Sequence, residues 1–217
     1  MAQTNVYGLV NQDSALSAGE GDVVPLKLSK MGHIVAIDWW TEMALEGRVF
    51  NVRAGTISVP LVGDVVITDA SAEMCADAQL GFTIVPAYVN IGINLGTGTL
   101  NEFAAKSVGA ISTAGAAFIP LPNLIGGPGA ATTARVEAAG AVTVTAELAT
   151  TTRRHWGYNN PIAVAAGRDI TTHEWSPVAP ATLVGPACFY VQIAATGTGP
   201  SYFANFDYVE LTTVSVS

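Results

Sequence analysis

The sequence predicts an all-β fold: an antiparallel two-sheet sandwich of jelly-roll type with few short helices. Thr and Val are abundant and 22 glycines are present, and β-branched side chains fit a pleated sheet better than a helix. The apolar runs are short and are bounded by Gly, Pro, Asn and Asp, as is typical of many short strands. Charged residues make up only 12% of the chain against 50% hydrophobic ones, a balance that excludes both a disordered chain and a long helical bundle.

Candidate strands are found along the whole chain, and residues 141–148 alternate most regularly between apolar and polar side chains. The predicted strands are residues 23–28, 33–39, 48–52, 56–59, 64–68, 82–85, 88–94, 141–148, 162–165, 188–194 and 208–215. Short helical turns are predicted at residues 69–80 and 101–106, and residues 41–46 form either a helical turn or a continuation of a strand.

Four prolines directly follow a β-branched residue, in Val24-Pro25, Val59-Pro60, Val85-Pro86 and Ile119-Pro120. Proline cannot donate to a sheet ladder, so it is confined to strand starts, edges and bulges. The pattern therefore predicts strands that bend or pass from one sheet to the other.

The 217 residues are expected to form one domain, residues 1–217, with an N-terminal extension over residues 1–22. Residues 107–134 carry no charge and are predicted to be either an arm that packs on a neighbouring subunit or a long loop. Pro120, Pro122 and Pro128 exclude a transmembrane helix in this stretch, so no membrane partner is expected.

The formal net charge of −8 argues against binding to nucleic acid, which requires clustered Lys and Arg. The opening sequence MAQTNVYGLV has no basic region followed by an apolar one, so we expect a protein made in the cytosol and not exported by the Sec route. Cys75 and Cys188 are far apart, and two buried free thiols are favoured over a disulfide.

No catalytic, cofactor or metal motif is present: the three histidines are scattered and the glycine clusters lack phosphate-binding patterns. The sequence therefore predicts a non-enzymatic protein without cofactors. Two alternatives stay open. One is a lectin-like module with Trp39, Trp40, Trp156 or Trp175 as a sugar platform, and the other is a hydrolase that uses Asp38 and Glu42.

Charge is missing mainly from residues 107–134 and 176–206, and interface cores are depleted of charge. Residues 153–160 (RRHWGYNN) combine Arg, Trp and Tyr, which anchor protein interfaces and can also stack on single-stranded bases. A subunit contact is favoured over nucleic acid because the chain is acidic, and an ordinary Arg-rich loop fits the segment equally well. We therefore predict an obligate homo-oligomer. The predicted interface residues are Phe118, Ile119, Leu121, Leu124, Ile125, Arg153, Arg154, Trp156, Tyr158, Tyr202, Phe203 and Phe206.

Residues 56–60 (TISVP), 81–86 (GFTIVP) and 201–211 (SYFANFDYVEL), together with the low charge, resemble the jelly-roll capsid and capsid-decoration proteins of bacterial viruses. The resemblance implies a virion protein that forms trimers or a lattice with copies of itself and other virion proteins, and that has no catalytic activity. The chain lacks the basic N-terminal arm of genome-binding coat proteins, which favours a shell or outer-surface role. It also lacks the long helical spine of the other common phage capsid fold.

Overall fold

The computed structural model describes residues 38–95, 100–138, 140–160 and 171–216. These residues contain one α-helix, α1 (Trp39–Leu45), and a terminal 3-10 helix, Thr213–Val216. Their strands are β1 (Val49–Ala54), β2 (Leu61–Val62), β3 (Ser71–Ala72), β4 (Met74–Ala78), β5 (Phe82–Leu95), β6 (Asn101–Val108), β7 (Thr113–Ala114), β8 (Ala116–Phe118), β9 (Leu121–Pro122), β10 (Thr133–Val136), β11 (Val142–Thr143), β12 (Thr152–Asn160), β13 (Thr171–Trp175), β14 (Leu183–Val184), β15 (Ala187–Ala195) and β16 (Ser201–Thr212).

Two antiparallel sheets pack face to face. The first has the order β13-β5-β16-β1-β9, with β14 also paired to β5 and β2 to β16; the second has the order β12-β6-β15-β4-β10-β8. Side chains from both sheets form one core, which includes Phe50 and Phe206 from the first and Phe103 and Phe189 from the second. The predicted all-β, two-sheet sandwich is confirmed, and its jelly-roll connectivity stays a prediction.

A third, small sheet of β3, β11 and β7 covers the outer face of the second sheet. The nine residues of β15 are all buried. Phe189 and Val191 face the main core, whereas Cys188 and Tyr190 lie in a separate cluster with Val142 of β11. The sequence of β15 is apolar almost throughout because both of its faces are covered.

Two predicted helical segments are strands in the structure. Residues 69–80 contain β3 and β4, and residues 101–106 lie in β6. Both segments are rich in Ala, Glu and other residues that favour helices, but β4 and β6 occupy central positions of the second sheet, where packing outweighs intrinsic propensity. Of residues 141–148, only Val142–Thr143 forms a strand.

Residues 107–134 are neither a detached arm nor a long loop, which corrects the prediction. They contain β7, β8 and β9. Strand β8 pairs with β10 at the edge of the second sheet, and β9 pairs with β1 at the edge of the first. The chain changes sheets at Ile119-Pro120, as the proline pattern predicts, because Pro120 has no N–H to continue either ladder.

The helix α1 begins at Trp39 because Asp38 caps it: the Asp38 carboxylate accepts a hydrogen bond of 3.0 Å from the Thr41 backbone N–H. Met43 of α1 packs against Val49 and Val209. This agrees with the helical alternative for residues 41–46. Among the described residues, no helix has the length and apolar character needed to cross a bilayer. The predicted extension 1–22, the strands at 23–28 and 162–165, and residues 33–37 lie outside the described residues.

Candidate functional site

Four exposed aliphatic side chains lie close together along the chain, where β8 passes into β9 and just after β9. Ile119 and Ile125 keep 81% and 98% of their surface exposed, and Leu121 and Leu124 keep 40% and 37%. We call these four residues the apolar corner. All four are among the predicted interface residues.

Backbone hydrogen bonds hold the apolar corner in place. Within it, Leu121 of β9 pairs with Asn51 of β1, and the Asn123 N–H donates to the Val49 carbonyl at 2.9 Å. Further along, the Glu210 carboxylate accepts the backbone N–H groups of Ala131 and Thr132, the latter at 2.7 Å. Because these bonds hold the backbone around the corner, a partner that binds there would have little backbone entropy to remove.

A second group of exposed apolar side chains follows directly after β1, the strand to which β9 is paired. It comprises Ile57, Val59, Val62, Val65 and Val66, with exposed fractions between 44% and 68%. Apolar side chains left exposed as a group are typical of an interaction site.

A groove of about 280 Å³ adjoins the segment that carries the apolar corner. Phe50, Phe82 and Pro128 supply its apolar wall, and Arg48 and Glu210 lie at its polar side. It has the size to accept one or two aliphatic side chains, and its mixed lining matches the apolar centre and polar rim of a protein interface.

The predicted contact at residues 153–160 coincides with β12, the outermost described strand of the second sheet. Arg153 and Arg154 are exposed, and Arg154 donates two hydrogen bonds to the Glu147 carboxylate at 2.9 and 2.8 Å. Tyr158 is 44% exposed, whereas Trp156 packs against the main core. Charged side chains on an outer strand also discourage uncontrolled edge pairing.

Two of the predicted interface residues, Tyr202 and Phe206, are corrected by the structure. Tyr202 and Phe206 are fully buried in the core of a single chain, because alternate residues of β16 point into the sandwich. Phe118 is half-buried and packs against the same core. Phe203, on the opposite face of β16, is half-buried and lies over Gly92.

A cleft of about 200 Å³ beside β12 brings together two residues that the sequence did not single out as a pair. Ser107 Oγ and His155 Nε2 lie 2.7 Å apart, and Arg153 lines the same cleft. Burial, and then the charge of Arg153, lower the pKa of His155, so the ring is neutral near pH 7. Among the residues that the structure describes, no carboxylate hydrogen-bonds to the His155 ring.

The residues of the two alternative functions have structural roles. Trp39 and Trp40 are half-buried against the cluster around α1, and Trp156 and Trp175 against the main core, so none is a fully exposed platform for a sugar. The Asp38 carboxylate accepts from both the backbone N–H and the hydroxyl of Thr41, and these bonds lower its pKa. An ionised helix cap fits this environment better than a catalytic acid.

Three carboxyl groups lie together near the end of β15. The buried Glu73 carboxyl accepts the backbone N–H groups of Asp64 and Ile193, at 3.1 and 2.8 Å. Burial and the nearby Asp64 raise the pKa of Glu73 well above its usual range. The same two causes raise the pKa of Glu137 to about 7. The cluster fastens the segment after β2 to the sandwich and holds protons at near-neutral pH.

Comparison with protein-family models, with curated proteins and with solved structures found no match to this chain.

Proposed function

We propose that this chain is a non-enzymatic structural protein of a virus particle: a capsid or capsid-decoration subunit that assembles with copies of itself and with other virion proteins. Its jelly-roll topology and its location in the virion belong to the same proposal. The particle would be assembled from protein made in the host cytoplasm.

The apolar corner is the observation that carries the proposal. Four aliphatic side chains are held on a fixed turn between the two sheets and remain exposed in the isolated chain. Burying one such side chain contributes about 1.5–3 kcal/mol, so a contact centred on the corner is strong enough to drive association. A second copy supplies the simplest apolar partner surface, and symmetric self-association is the commonest form of oligomer.

The charge distribution supports a role in a shell rather than on the genome. The chain has a net charge of −8, and Arg153 and Arg154 are the exposed arginines of β12, of which Arg154 is already paired with Glu147. Binding to a nucleic acid requires a surface of unpaired cations that releases counterions. The resemblance to phage capsid and decoration proteins points to the same role.

Replacing Ile119 and Ile125 by Asp tests the proposal. Both side chains are exposed, so the variants are expected to fold, but a charge buried in a subunit contact is costly. We expect the oligomer to dissociate into monomers, as measured by light scattering after size-exclusion chromatography.

The matched control is Val178→Asp, because Val178 is an equally exposed apolar residue between β13 and β14, at the other end of the first sheet. This control is expected to assemble normally. An unchanged oligomer mass in the Ile119→Asp and Ile125→Asp variants would remove the apolar corner from the interface. A monomeric wild-type chain that binds glycans in an array would replace the proposal with the lectin-like alternative.

A further inference from the structure

A buried cluster of two thiols and one carboxylate lies between the second sheet and the small third sheet. Cys75 and Asp77 are on β4 and Cys188 is on β15, and all three are at most 1% exposed. The two Sγ atoms and the nearest Asp77 oxygen all lie within 4.8 Å of one another. Sequence patterns do not reveal this cluster, because its members come from two strands that are distant along the chain.

The antiparallel ladder places these side chains on one face. Cys188 is directly opposite Asp77, and Cys75 is directly opposite Tyr190, so the two cysteines occupy diagonal positions. Diagonal neighbours in a sheet are about 7–8 Å apart between Cα atoms, beyond the usual span of a disulfide. Both cysteines are free thiols in the structure.

Ser112 completes the group. Its backbone N–H donates to Asp77 Oδ1 at 2.8 Å, and its hydroxyl donates to Asp77 Oδ2 at 2.6 Å. The Cys75 thiol in turn donates to Ser112 Oγ at 3.1 Å. The Ser112 hydroxyl thus contacts two of the three potential ligands and offers a fourth, neutral oxygen donor.

We propose that Cys75, Asp77 and Cys188 bind a zinc ion, with the Ser112 hydroxyl at the fourth position. In a tetrahedral site of this kind the ligand atoms are about 3.5–3.8 Å apart, so the distances between the ligand atoms need to shorten by about 1.3 Å at most. The two thiolates select a soft or borderline ion such as Zn²⁺ over Ca²⁺ or Mg²⁺. This inference is independent of the proposed assembly function.

Zinc binding replaces two protons by one Zn²⁺ and leaves the net charge of the buried site unchanged. One Zn²⁺ enters, two Zn–S bonds form, and the two S–H bonds break with release of two protons to solvent. Asp77 contributes a carboxylate oxygen to the bound ion, and because one Zn²⁺ replaces two protons, no additional charge is placed in the apolar interior. No oxidant or reductant is needed.

The site would fasten the third sheet to the sandwich. Ser112 directly precedes β7, which pairs with β11, whereas the other three ligands belong to the second sheet. Zinc bound at this point would therefore stabilise the packing of Val142 and the rest of this small core, as structural zinc sites do in other small cores.

The test is the zinc content of the purified protein after refolding with one equivalent of ZnCl₂ and dialysis, measured by inductively coupled plasma mass spectrometry. We expect about one zinc ion per chain. Cys75→Ser and Cys188→Ser should lose the zinc. Val142→Ala removes two methyl groups from the same core but no ligand, so this variant should retain the zinc.

Cobalt provides a readout that does not depend on whether the variants fold. Wild-type protein refolded with CoCl₂ should show thiolate-to-cobalt charge transfer and the intense visible bands of tetrahedral Co²⁺. A substoichiometric zinc content in the wild type, zinc retained by both cysteine variants, a Cys75–Cys188 disulfide, or only the weak spectrum of hydrated Co²⁺ would each overturn the proposal.

Discussion

At the residue scale, a close approach of two glycines fixes the turn before β16. A Cβ atom on Gly199 would lie 1.5 Å from the carbonyl oxygen of Gly63, and one on Gly63 would lie 2.4 Å from that of Ile193. The Gly63 N–H donates to the Pro200 carbonyl at 2.9 Å, so the two segments are joined at this crossing. Only glycine leaves room for backbone against backbone.

The variant Gly199→Ala tests this crossing. We expect it to lower the free energy of unfolding by about 3 kcal/mol or more, because backbone atoms must move to admit the methyl group. Gly129→Ala is the control, since nothing lies within 4 Å of the position of its Cβ, and it should be nearly neutral. Urea unfolding measures both, and equal stabilities of the two variants would contradict the close approach.

The carboxyl cluster predicts a pH dependence. Burial raises the pKa of Glu137 to about 7, so the folded chain holds a proton that the unfolded chain releases above about pH 4.5. Stability from this group is therefore present at low pH and is lost as the pH rises from about 4.5 to 7. Asp64, the buried Glu73 and the Tyr202 hydroxyl are the other titratable groups at this site.

Glu137→Gln should remove this loss of stability with rising pH. We expect wild-type protein to be less stable relative to Glu137→Gln at pH 8 than at pH 5, in urea unfolding at a fixed protein concentration. Asp38 and Glu147, whose pKa values are lowered, contribute the opposite trend at lower pH, outside this window. Parallel pH profiles of the two proteins would show that the pKa of Glu137 is not raised by folding.

At the scale of the elements, one buried lysine joins three segments. Lys106 of β6 is fully buried and pairs with Glu147, which follows β11, and Glu147 also pairs with Arg154 of β12. The Lys106 ammonium donates as well to Gln192 Oε1, at 2.6 Å, and to the Ile67 carbonyl. Burial lowers the pKa of Lys106, whereas hydrogen bonds from both cations offset the effect of burial on Glu147 and hold its pKa below the usual range.

Removing the Glu147 carboxylate should lower the stability of the fold more than removing the buried Lys106 ammonium. We expect Glu147→Gln to destabilise the fold by about 1–3 kcal/mol, because the Lys106 ammonium is left without its counter-charge. Lys106→Met keeps the packing and removes the charge, so it should be less destabilising. Thermal unfolding compares the two, and a larger loss for Lys106→Met would show that the hydrogen bonds of the ammonium outweigh its burial.

The sequence predicted the β class and several strands correctly, including those near residues 48–52, 88–94 and 188–194. These predictions succeeded because β-branched residues, and the glycines and prolines that bound the strands, are local signals. Residues 69–80 and 101–106 were wrongly predicted to be helical turns because their composition favours helices. The strands that pair with them come from distant parts of the chain, which a local pattern does not show. A strand that is buried on both faces, such as β4, shows no alternation for a sequence pattern to detect.

At the scale of the whole molecule, the scarcity of charge has two physical causes. Residues 176–206 lack charge largely because β15 and the first half of β16 form the interior of the sandwich. Residues 107–134 also lack charge, but they place Ile119 and Ile125 on the surface. The two predicted contact regions therefore separate into a core and an exposed edge, which composition alone could not distinguish.

The candidate site was accordingly predictable only in part. The exposed residues of the apolar corner were identified because interface cores lack charge, whereas Tyr202 and Phe206 were assigned to the interface on the same grounds and lie in the core. The pairing of Ser107 with His155, the carboxyl cluster and the Cys75–Cys188 cluster all depend on strand register, which single-sequence patterns do not reveal.

Electron microscopy of the purified, unmodified chain at micromolar concentration shows directly whether copies of this chain assemble. We expect closed, symmetric assemblies, such as trimers, rings or shells, in which the apolar corner lies at the contact between copies. Isolated single chains in the micrographs, with the apolar corner facing solvent, would contradict this expectation.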